Sequence, residues 1–332
     1  MLGSKNKQAS SFAVNKLYSF KQYITWRDKE NMYHYFTGGI VLESELSLPI
    51  AEADDNLLAH ERLIIKEIEK INHDNTTFIF KDFEKQIYRD RHSRVYYSYV
   101  NGVRFLMDYK NDQILFSRPN YIEDDTIRNV IVNEIIKLVF AVKDYPLLHA
   151  SAVSSESSCV GFLATTYSGK STIAAHLVQC GYNFVSDEIL PLYHKDYKQI
   201  FTYASNMGIK LRTATLEHFN KNDEHIFNGL THESRDFFKG FKISTQPLTL
   251  KALFLIRPSE DNNVKIMESE KVSAIDCIKK EAYGLLYFPW DMFINSFKVI
   301  VSLYGNVPIY DLYYVKSFEA LKQVEDIINK II

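Results

Sequence analysis

The sequence predicts an α/β protein of two domains, a strand-rich N-terminal domain and a second domain in which strands and helices alternate. In the first half, short runs of aromatic and β-branched residues are separated by Asn, Asp and Gly, as in an antiparallel meander. After Tyr145-Pro146 the pattern changes, and apolar runs alternate with segments of helical periodicity. We therefore expect a disordered N-terminus at 1–11, a first domain at 12–144 and a second at 145–332.

Composition and charge exclude several classes of protein. The 332 residues suffice for two domains, and 46% hydrophobic with 24% charged residues is typical of a soluble globular chain. A net charge of −2 gives no indication of nucleic acid or a membrane surface as a partner. Three scattered cysteines without a C-x-x-C pair indicate a reducing compartment, with neither disulfides nor a zinc site. Since there is no signal-peptide pattern and no apolar run of about 20 residues, we expect a cytoplasmic protein.

The first domain is predicted to consist of strands closed by one helix. Gly38-Gly39 forms a turn before a strand, and Asn101-Gly102 favours a two-residue hairpin turn. The run at 63–71 favours a strand, although its Lys and Glu content also allows a helix. Apolar residues recur at helical spacing over 126–142. The predicted strands are 40–46, 63–71, 76–83, 86–89, 95–100 and 103–109.

The second domain is predicted to hold a sheet flanked by helices. A polar region at 214–244 is interpreted as a mobile excursion or a lid over the site. The predicted helices after it are 274–286, 292–304 and 318–331. The predicted strands are 147–153, 159–164, 183–186, 189–193, 250–256, 263–268 and 307–314.

A phosphate-binding motif lies early in the second domain. The apolar run Val160 to Leu163 leads into a loop that ends in Gly169-Lys170-Ser171-Thr172 and opens a helix. This order is typical of a P-loop, in which backbone N–H groups and the helix N-terminus hold phosphates. The lysine contributes charge at the phosphates and a hydroxyl binds Mg²⁺. The residues predicted to bind ATP are Thr165, Thr166, Tyr167, Ser168, Gly169, Lys170, Ser171 and Thr172.

Parts of this motif also allow a plainer interpretation. Ser171 and Thr172 would serve equally well as helix-capping residues. Ala164 stands where the common pattern has glycine, and Tyr167 is bulky for a loop that approaches phosphate closely. The alternative hypothesis is therefore a loop that no longer supports catalysis.

Two acidic residues follow the next predicted strand. Phe184-Val185 is expected to carry Asp187 and Glu188 to its C-terminal end beside the P-loop. There they would act on Mg²⁺ and on an attacking hydroxyl, although capping of the next turn is the alternative. Ser171, Asp187 and Glu188 are the predicted metal ligands.

Two basic residues are further candidates for the site. His149 follows an apolar pair, a setting in which histidine is usually structural; if its strand neighbours the P-loop strand, it would face the same cleft. Arg212 is either an ordinary surface charge or a cation that stabilises the transferring phosphoryl group.

Together these segments resemble the C-terminal domain of the bacterial HPr kinase/phosphorylase family. The matching residues are Leu148-His149-Ala150-Ser151, Gly169-Lys170-Ser171-Thr172, Ser186-Asp187-Glu188 and Ile209-Lys210-Leu211-Arg212. The spacings, 21 residues from His149 to Lys170 and 17 more to Asp187, agree with that family over roughly 145–330. The resemblance implies an HPr kinase-like (PEP carboxykinase-like) P-loop α/β domain.

The same resemblance implies roles for the matching residues. Lys170 would bind the nucleotide phosphates and Ser171 the Mg²⁺. Asp187 would take the proton of the acceptor hydroxyl, helped by His149, and Glu188 would be the second acid. Lys210 departs from the family, which has an acidic residue there.

The N-terminal half adds a second resemblance. Ser44-Glu45-Leu46-Ser47-Leu48-Pro49 is similar to a segment of the divergent family members found with lasso peptides. Those enzymes phosphorylate a serine of a precursor peptide, and the resemblance implies such an acceptor here. A homo-oligomer is a further possibility, since HPr kinases form hexamers.

Three functions follow as hypotheses from the sequence. The first is an ATP- and Mg²⁺-dependent kinase acting on a serine of a peptide or small protein. The second, motivated by Ala164, Tyr167 and Lys210, is a nucleotide-binding regulatory protein without transferase activity. The third is a kinase of a small metabolite such as free serine. We expect neither nucleic acid nor a membrane as partner.

Overall fold

The computed structural model describes most of the chain from residue 32 onward. The ranges are 32–50, 52–53, 61–164, 168–205, 208–212, 215, 218–219, 225–228, 235–238, 244–261, 263–283 and 294–332, with only the backbone at 210, 225–228 and 235–238. The predicted disorder at 1–11 lies outside these residues. Tyr33–Ile332 form one compact unit, so the domain boundary at 144/145 stays a prediction. Within the described residues, no helix is both long and apolar enough to cross a membrane.

The chain has a mixed α/β structure built on two eight-stranded sheets. The first sheet has the strand order β1-β2-β3-β8-β7-β6-β5-β4. Its strands are β1 (Tyr33–Thr37), β2 (Ile40–Ser44), β3 (Glu61–Glu67), β4 (Thr76–Lys81), β5 (Lys85–Asp90), β6 (Val95–Tyr99), β7 (Arg104–Asp108) and β8 (Gln113–Ser117). The six predicted strands are confirmed, including the run at 63–71 that also allowed a helix, whereas β1 and β8 are strands that the sequence does not predict. All pairings are antiparallel except β2–β3 and β3–β8.

The β6–β7 hairpin is confirmed, but its predicted two-residue turn is wrong. Gly102 N–H donates to the Tyr99 carbonyl at 3.0 Å, and Tyr99 N–H donates to the Val103 carbonyl at 2.8 Å, so three residues form the connection. Gly102 takes a left-handed φ of 90°. The Asn101 side chain accepts a hydrogen bond from Val103 N–H at 3.1 Å and so supports the wider turn.

The predicted helix at 126–142 packs its apolar face on the first sheet. It consists of α1 (Asp124–Val130), a π-helical turn (Ile131–Ile135) and α2 (Ile136–Val142). Its buried face includes Ile127, Ile131, Ile135, Leu138 and Phe140, which join one core with the inner face of the sheet. Burial of each such side chain contributes about 1.5–3 kcal/mol. This packing explains why the helical period was so clear in the sequence.

The second sheet combines parallel and antiparallel strands in the order β12-β10-β11-β19-β15-β14, with β21 beside β19 and β20 beside β21. The pairs β11–β19 and β19–β21 are parallel. The strands from residue 147 onward are β9 (Leu147–Leu148), β10 (Ser151–Ser155), β11 (Ser158–Leu163), β12 (Asn183–Ser186), β13 (Leu190–Pro191), β14 (Tyr193–Lys195), β15 (Gln199–Thr202), β16 (Ile209–Arg212), β17 (His225–Asn228), β18 (Arg235–Phe238), β19 (Leu248–Pro258), β20 (Lys265–Glu268) and β21 (Ile309–Tyr314).

Helices cover both faces of this sheet. They are α3 (Lys170–Gln179), α4 (Lys271–Glu281), α5 (Ile294–Asn306) and α6 (Glu319–Ile328). Side chains of β11 alternate between two cores: Val160 and Phe162 pack with α3 and α6, whereas Cys159 and Leu163 pack with α4 and α5. The predicted sheet with flanking helices is therefore confirmed, except that Leu147–Leu148 and Leu190–Pro191, from the predicted strands 147–153 and 189–193, pair with each other in a separate two-stranded sheet.

Two predicted element bounds in this half are wrong for one shared reason. The expected strand 147–153 is broken at His149, and the expected helix 274–286 ends at Glu281. His149 N–H donates to the Glu281 carbonyl at 2.7 Å, and Leu148 forms a bridge with Ala282. These long-range hydrogen bonds replace the local pairing that periodicity alone predicted.

The polar region interpreted as an excursion contains two strands. β17 and β18 pair with each other, and β18 pairs with β16 in a small three-stranded sheet. The remaining residues of 214–244 lie almost entirely outside the described ranges. A lid over the site therefore stays a prediction.

Candidate active site

The site begins where the chain enters α3. Gly169 precedes the helix with a left-handed φ of 100°, a conformation that glycine adopts without steric cost. A Cβ at this position would also lie 3.4 Å from the ring of Tyr314. Lys170 is the first helical residue, and Ser171 and Thr172 complete the first turn. The free N–H groups of such a turn favour an anion such as phosphate.

Lys170 is a buried cation at the head of this helix. Only 7% of the residue is exposed, and Nζ donates to the Ala164 carbonyl at 2.5 Å, which closes the loop. Burial lowers the pKa of Lys170, while the charges of Glu281, Asp187 and Glu188 oppose that shift. The lysine is therefore desolvated and within electrostatic range of three acidic side chains. Thr165, Thr166 and Tyr167 lie outside the described residues, and Ser168 is half-buried.

Asp187 is a buried carboxylate at the end of β12. It is 5% exposed, and Ser151 Oγ donates to Asp187 Oδ1 at 2.7 Å. β12 pairs with β10, and the Ser186 hydroxyl donates to the Ala150 carbonyl at 3.0 Å. The same hydroxyl donates to the Ile189 carbonyl at 2.6 Å, so these bonds hold the chain on either side of Asp187. Ser151 belongs to the motif Leu148-His149-Ala150-Ser151, and its contact with Asp187 assigns it an orienting position.

His149 lies near these acids by a route that differs from the predicted one. His149 follows β9, which pairs with β13, whereas β10 is the antiparallel neighbour of β11, the strand before the predicted phosphate-binding loop. His149 Nδ1 nevertheless lies 3.1 Å from Glu281 Oε2. Glu281 was not a sequence candidate, and its only sequence signal was its place near the end of a predicted helix.

The donor set for a cation is made of hard oxygen atoms. Ser171 contributes a hydroxyl, and Asp187 and Glu188 contribute carboxylates, the ligand types that Mg²⁺ prefers. Asp187 is buried beside other charges, and Glu188 Oε2 lies 3.5 Å from Lys137 Nζ on α2. The chemistry of these residues fits Mg²⁺ with nucleotide phosphates.

A cleft of about 600 Å³ is bounded on one side by β4 and β5 of the first sheet and on the other by β9 of the two-stranded sheet, the end of α4 and Glu188, the residue after Asp187. We name it the inter-sheet cleft. Its walls combine apolar side chains with basic and acidic ones, including the candidates His149 and Glu188. The lining residues are Phe80, Asp82, Lys85, Ile87, Lys137, Leu147, His149, Glu188, Ile189, Lys280, Glu281, Ala282 and Tyr283.

Arg212 does not line this cleft. It is exposed at the end of β16, whereas Ile209 and Leu211 of the same strand pack with α3 and β12. The structure therefore leaves Arg212 outside the lining of this cleft, and its catalytic role stays a prediction. The side chain of Lys210 lies outside the description.

A separate cluster of potential metal ligands lies at the far end of α3. His176, Cys180 and Glu325 place one ligand atom each within 4.8 Å of the others. Burial raises the pKa of Cys180 to about 11, so its thiol is protonated at neutral pH. Lys322 Nζ lies 3.0 Å from Glu325 and already neutralises that carboxylate. We interpret the cluster as a contact between α3 and α6.

Comparisons with known proteins add little to this geometry. No protein-family model matches the sequence, and no curated protein matches it. The solved structure of the Hpr(Ser) kinase/phosphatase from Coxiella burnetii is similar to this chain with a TM-score of 0.30 and 10% identity. The similarity covers 55% of this chain and 88% of that one. At these values the similarity carries no argument, and the functional proposal rests on the site itself.

Proposed function

We propose that this chain is an ATP- and Mg²⁺-dependent kinase that phosphorylates a serine hydroxyl of a peptide. The observation that carries the proposal is the burial of Lys170 at the start of a glycine-initiated helix, together with the buried carboxylate of Asp187 that Ser151 holds. A phosphate-binding helix terminus and a buried carboxylate are the two parts that phosphoryl transfer requires. The sequence resemblance to HPr kinases supports the same chemistry.

Each residue has a separate task in this proposal. The N–H groups at the start of α3 and the Lys170 ammonium bind the phosphates, and Lys170 exchanges its bond to the Ala164 carbonyl for a phosphate oxygen. Ser171, Asp187 and Glu188 would hold Mg²⁺, which neutralises phosphate charge when bound. Asp187 accepts the proton of the serine hydroxyl, and Ser151 orients the carboxylate. Catalysis then comes mostly from positioning and charge stabilisation.

The acceptor class is argued from sequence and cleft size. The resemblance of Ser44–Pro49 to lasso-peptide precursor kinases makes a ribosomally made precursor with an accessible serine the first substrate to test. The inter-sheet cleft, about 600 Å³, has the volume of sites that hold drug-sized ligands, which exceeds what free serine needs. A peptide segment is the better match.

Two substitutions test the proposal. Asp187→Asn removes the proton acceptor and should retain ATP binding while phosphoryl transfer falls by about 10²–10⁴-fold. Lys170→Met removes the phosphate cation and should weaken ATP binding itself. The measurements are ATP affinity by calorimetry and transfer of labelled phosphate to candidate precursor peptides in the presence of Mg²⁺.

The outcomes separate the rival hypotheses. ATP binding without transfer to any acceptor supports the nucleotide-binding regulatory protein. Transfer to free serine at a rate that exceeds transfer to peptides supports the metabolite kinase. Unchanged turnover in Asp187→Asn would remove Asp187 from the role of base.

A further inference from the structure

The inter-sheet cleft has two walls of different origin. One wall carries the site residues His149, Glu188 and Glu281. The other comes from the first sheet, where the β4–β5 hairpin contributes Phe80 and Lys85. The strand-rich N-terminal part of the chain therefore supplies one wall of the cleft. The opposite wall includes Glu188, which follows the candidate catalytic residue Asp187 in the chain.

A local irregularity distinguishes two phenylalanines of β4. The pairing with β5 shifts register between Phe78 and Phe80, so that Phe78 lies opposite Tyr88 and Phe80 opposite Ile87. Phe78 is 55% exposed, whereas Phe80 is partly buried and lines the cleft. Such an extra residue in one strand re-aims the side chains beyond it. The hairpin thus presents one aromatic ring to the cleft and the other to solvent.

Each charged residue that lines the cleft lies close to a partner within the cleft or beside it. Lys85 Nζ lies 3.8 Å from Asp82 and 2.5 Å from Glu134, and Lys137 Nζ lies 3.5 Å from Glu188. Lys280 Nζ lies 2.7 Å from Asp276, and Glu281 lies 3.1 Å from His149 Nδ1. A polyanion such as a triphosphate would have to break these pairs and leave partly buried carboxylates without partners. An occupant of low net charge keeps them intact. Apolar side chains with a neutral hydroxyl fit that requirement.

We infer that the serine-bearing segment of the acceptor peptide binds in the inter-sheet cleft, with Phe80 of the β4–β5 hairpin as an apolar contact beside the acceptor. This inference rests on the proposed function. The volume of the cleft, its apolar patches and its already paired charges favour a short peptide segment. The serine hydroxyl then lies on the Glu188 side, next in the chain to Asp187.

The first measurement locates the peptide independently of catalysis. The probe is a degenerate library of short peptides, each with one fixed serine and one photoreactive benzophenone residue, added to the full chain with ATP and Mg²⁺. Cross-linked positions are mapped by mass spectrometry. We expect them on the β4–β5 hairpin and on residues 280–283, and cross-links elsewhere or none would overturn the inference.

The second measurement compares two matched substitutions on one strand. Phe80→Ala should lower kcat/KM for the peptide by about tenfold, because it removes an apolar contact of the acceptor. Phe78→Ala removes the same ring from the solvent-facing position and should change kcat/KM by less than about twofold. ATP affinity and the thermal unfolding midpoint, measured for both variants, report on the nucleotide site and on folding.

The two measurements separate the inference from the proposed function. Cross-links in the cleft without transfer of phosphate to any peptide contradict the kinase proposal and leave the cleft as a peptide site. Transfer with equal effects of Phe80→Ala and Phe78→Ala contradicts the cleft inference and leaves the kinase. Weaker ATP binding in folded Phe80→Ala assigns the cleft to the nucleotide and also overturns the inference.

Discussion

Lys170 and Asp187 are charged side chains that the fold keeps almost fully out of solvent. Burying a charge is costly unless it is paired or hydrogen-bonded, and each of these residues has such a partner. Lys170 donates to the Ala164 carbonyl, and Asp187 accepts from Ser151. At the scale of residues, the candidate site therefore holds two buried charges of opposite sign, in surroundings where electrostatic interactions are strong.

Ser151→Ala tests the orienting role of this hydroxyl. A hydrogen bond to a charged group contributes about 1.5–3 kcal/mol, so its loss should lower kcat by about tenfold or more while ATP affinity stays unchanged. Ser154→Ala is the matched control, because Ser154 is a buried serine of the same strand whose hydroxyl has no hydrogen-bond partner among the described residues. Equal kcat in the two variants would contradict the role.

At the scale of elements, the turn between β5 and β6 is stabilised by hydrogen bonds to one carboxylate. Asp90 at the end of β5 accepts hydrogen bonds from His92 N–H at 2.8 Å and from Arg94 N–H at 3.0 Å. The Arg94 side chain adds a third bond at 2.7 Å. Burial raises the pKa of Asp90, but these hydrogen bonds outweigh it and the net shift is downward. The turn therefore depends on the ionised form.

Asp90→Asn should destabilise the protein by about 1–3 kcal/mol at pH 7. The pKa of Asp90 is lower in the folded protein than its unfolded value of about 3.9. The ionised carboxylate therefore adds fully to the free energy of unfolding at pH values well above 3.9, and this contribution is lost as pH falls through the folded pKa. The difference between wild type and Asp90→Asn should therefore narrow as pH falls below about 5. Urea unfolding at several pH values measures this, with exposed Asp74→Asn as control. A pH-independent difference would contradict the ionic role.

At the scale of the whole molecule, the β1–β2 turn connects the two halves of the compact unit. Gly38 N–H donates to the Ala204 carbonyl at 2.8 Å, and the Gly38 carbonyl accepts from the Tyr193 hydroxyl at 2.6 Å. A Cβ on Gly38 would lie 2.7 Å from the Phe140 ring and 2.8 Å from Pro191. The backbone approaches the neighbouring elements too closely for any other residue.

Gly38→Ala should lower the free energy of unfolding by about 2–4 kcal/mol, the sum of left-handed strain and overpacking. Gly181→Ala is the control, since Gly181 also has a positive φ but a Cβ there would meet nothing within 4 Å. The control should lose only about 1–2 kcal/mol. Calorimetric unfolding of both variants measures the difference, and equal losses would show that packing at Gly38 contributes nothing.

Local sequence patterns predicted most of the strands and helices, and they predicted the start of α3 in the candidate site. Hydrophobic periodicity predicted the helix at 126–142, and Gly169-Lys170 predicted the start of α3, because helical spacing and a glycine with positive φ depend on neighbouring residues alone. The position of Asp187 at the end of a strand followed in the same way.

Only the tertiary structure decided which distant residues share the site. Glu281 meets His149, Ser151 meets Asp187, and Phe80 of the first sheet lines the cleft, although none of these contacts leaves a local pattern. The tertiary structure also leaves Arg212 outside the lining of the cleft. Strand pairing and packing between elements set these positions, and both depend on contacts between residues far apart in the chain. The start of α3 at Gly169-Lys170 could therefore be predicted from the sequence, whereas the lining of the cleft could not.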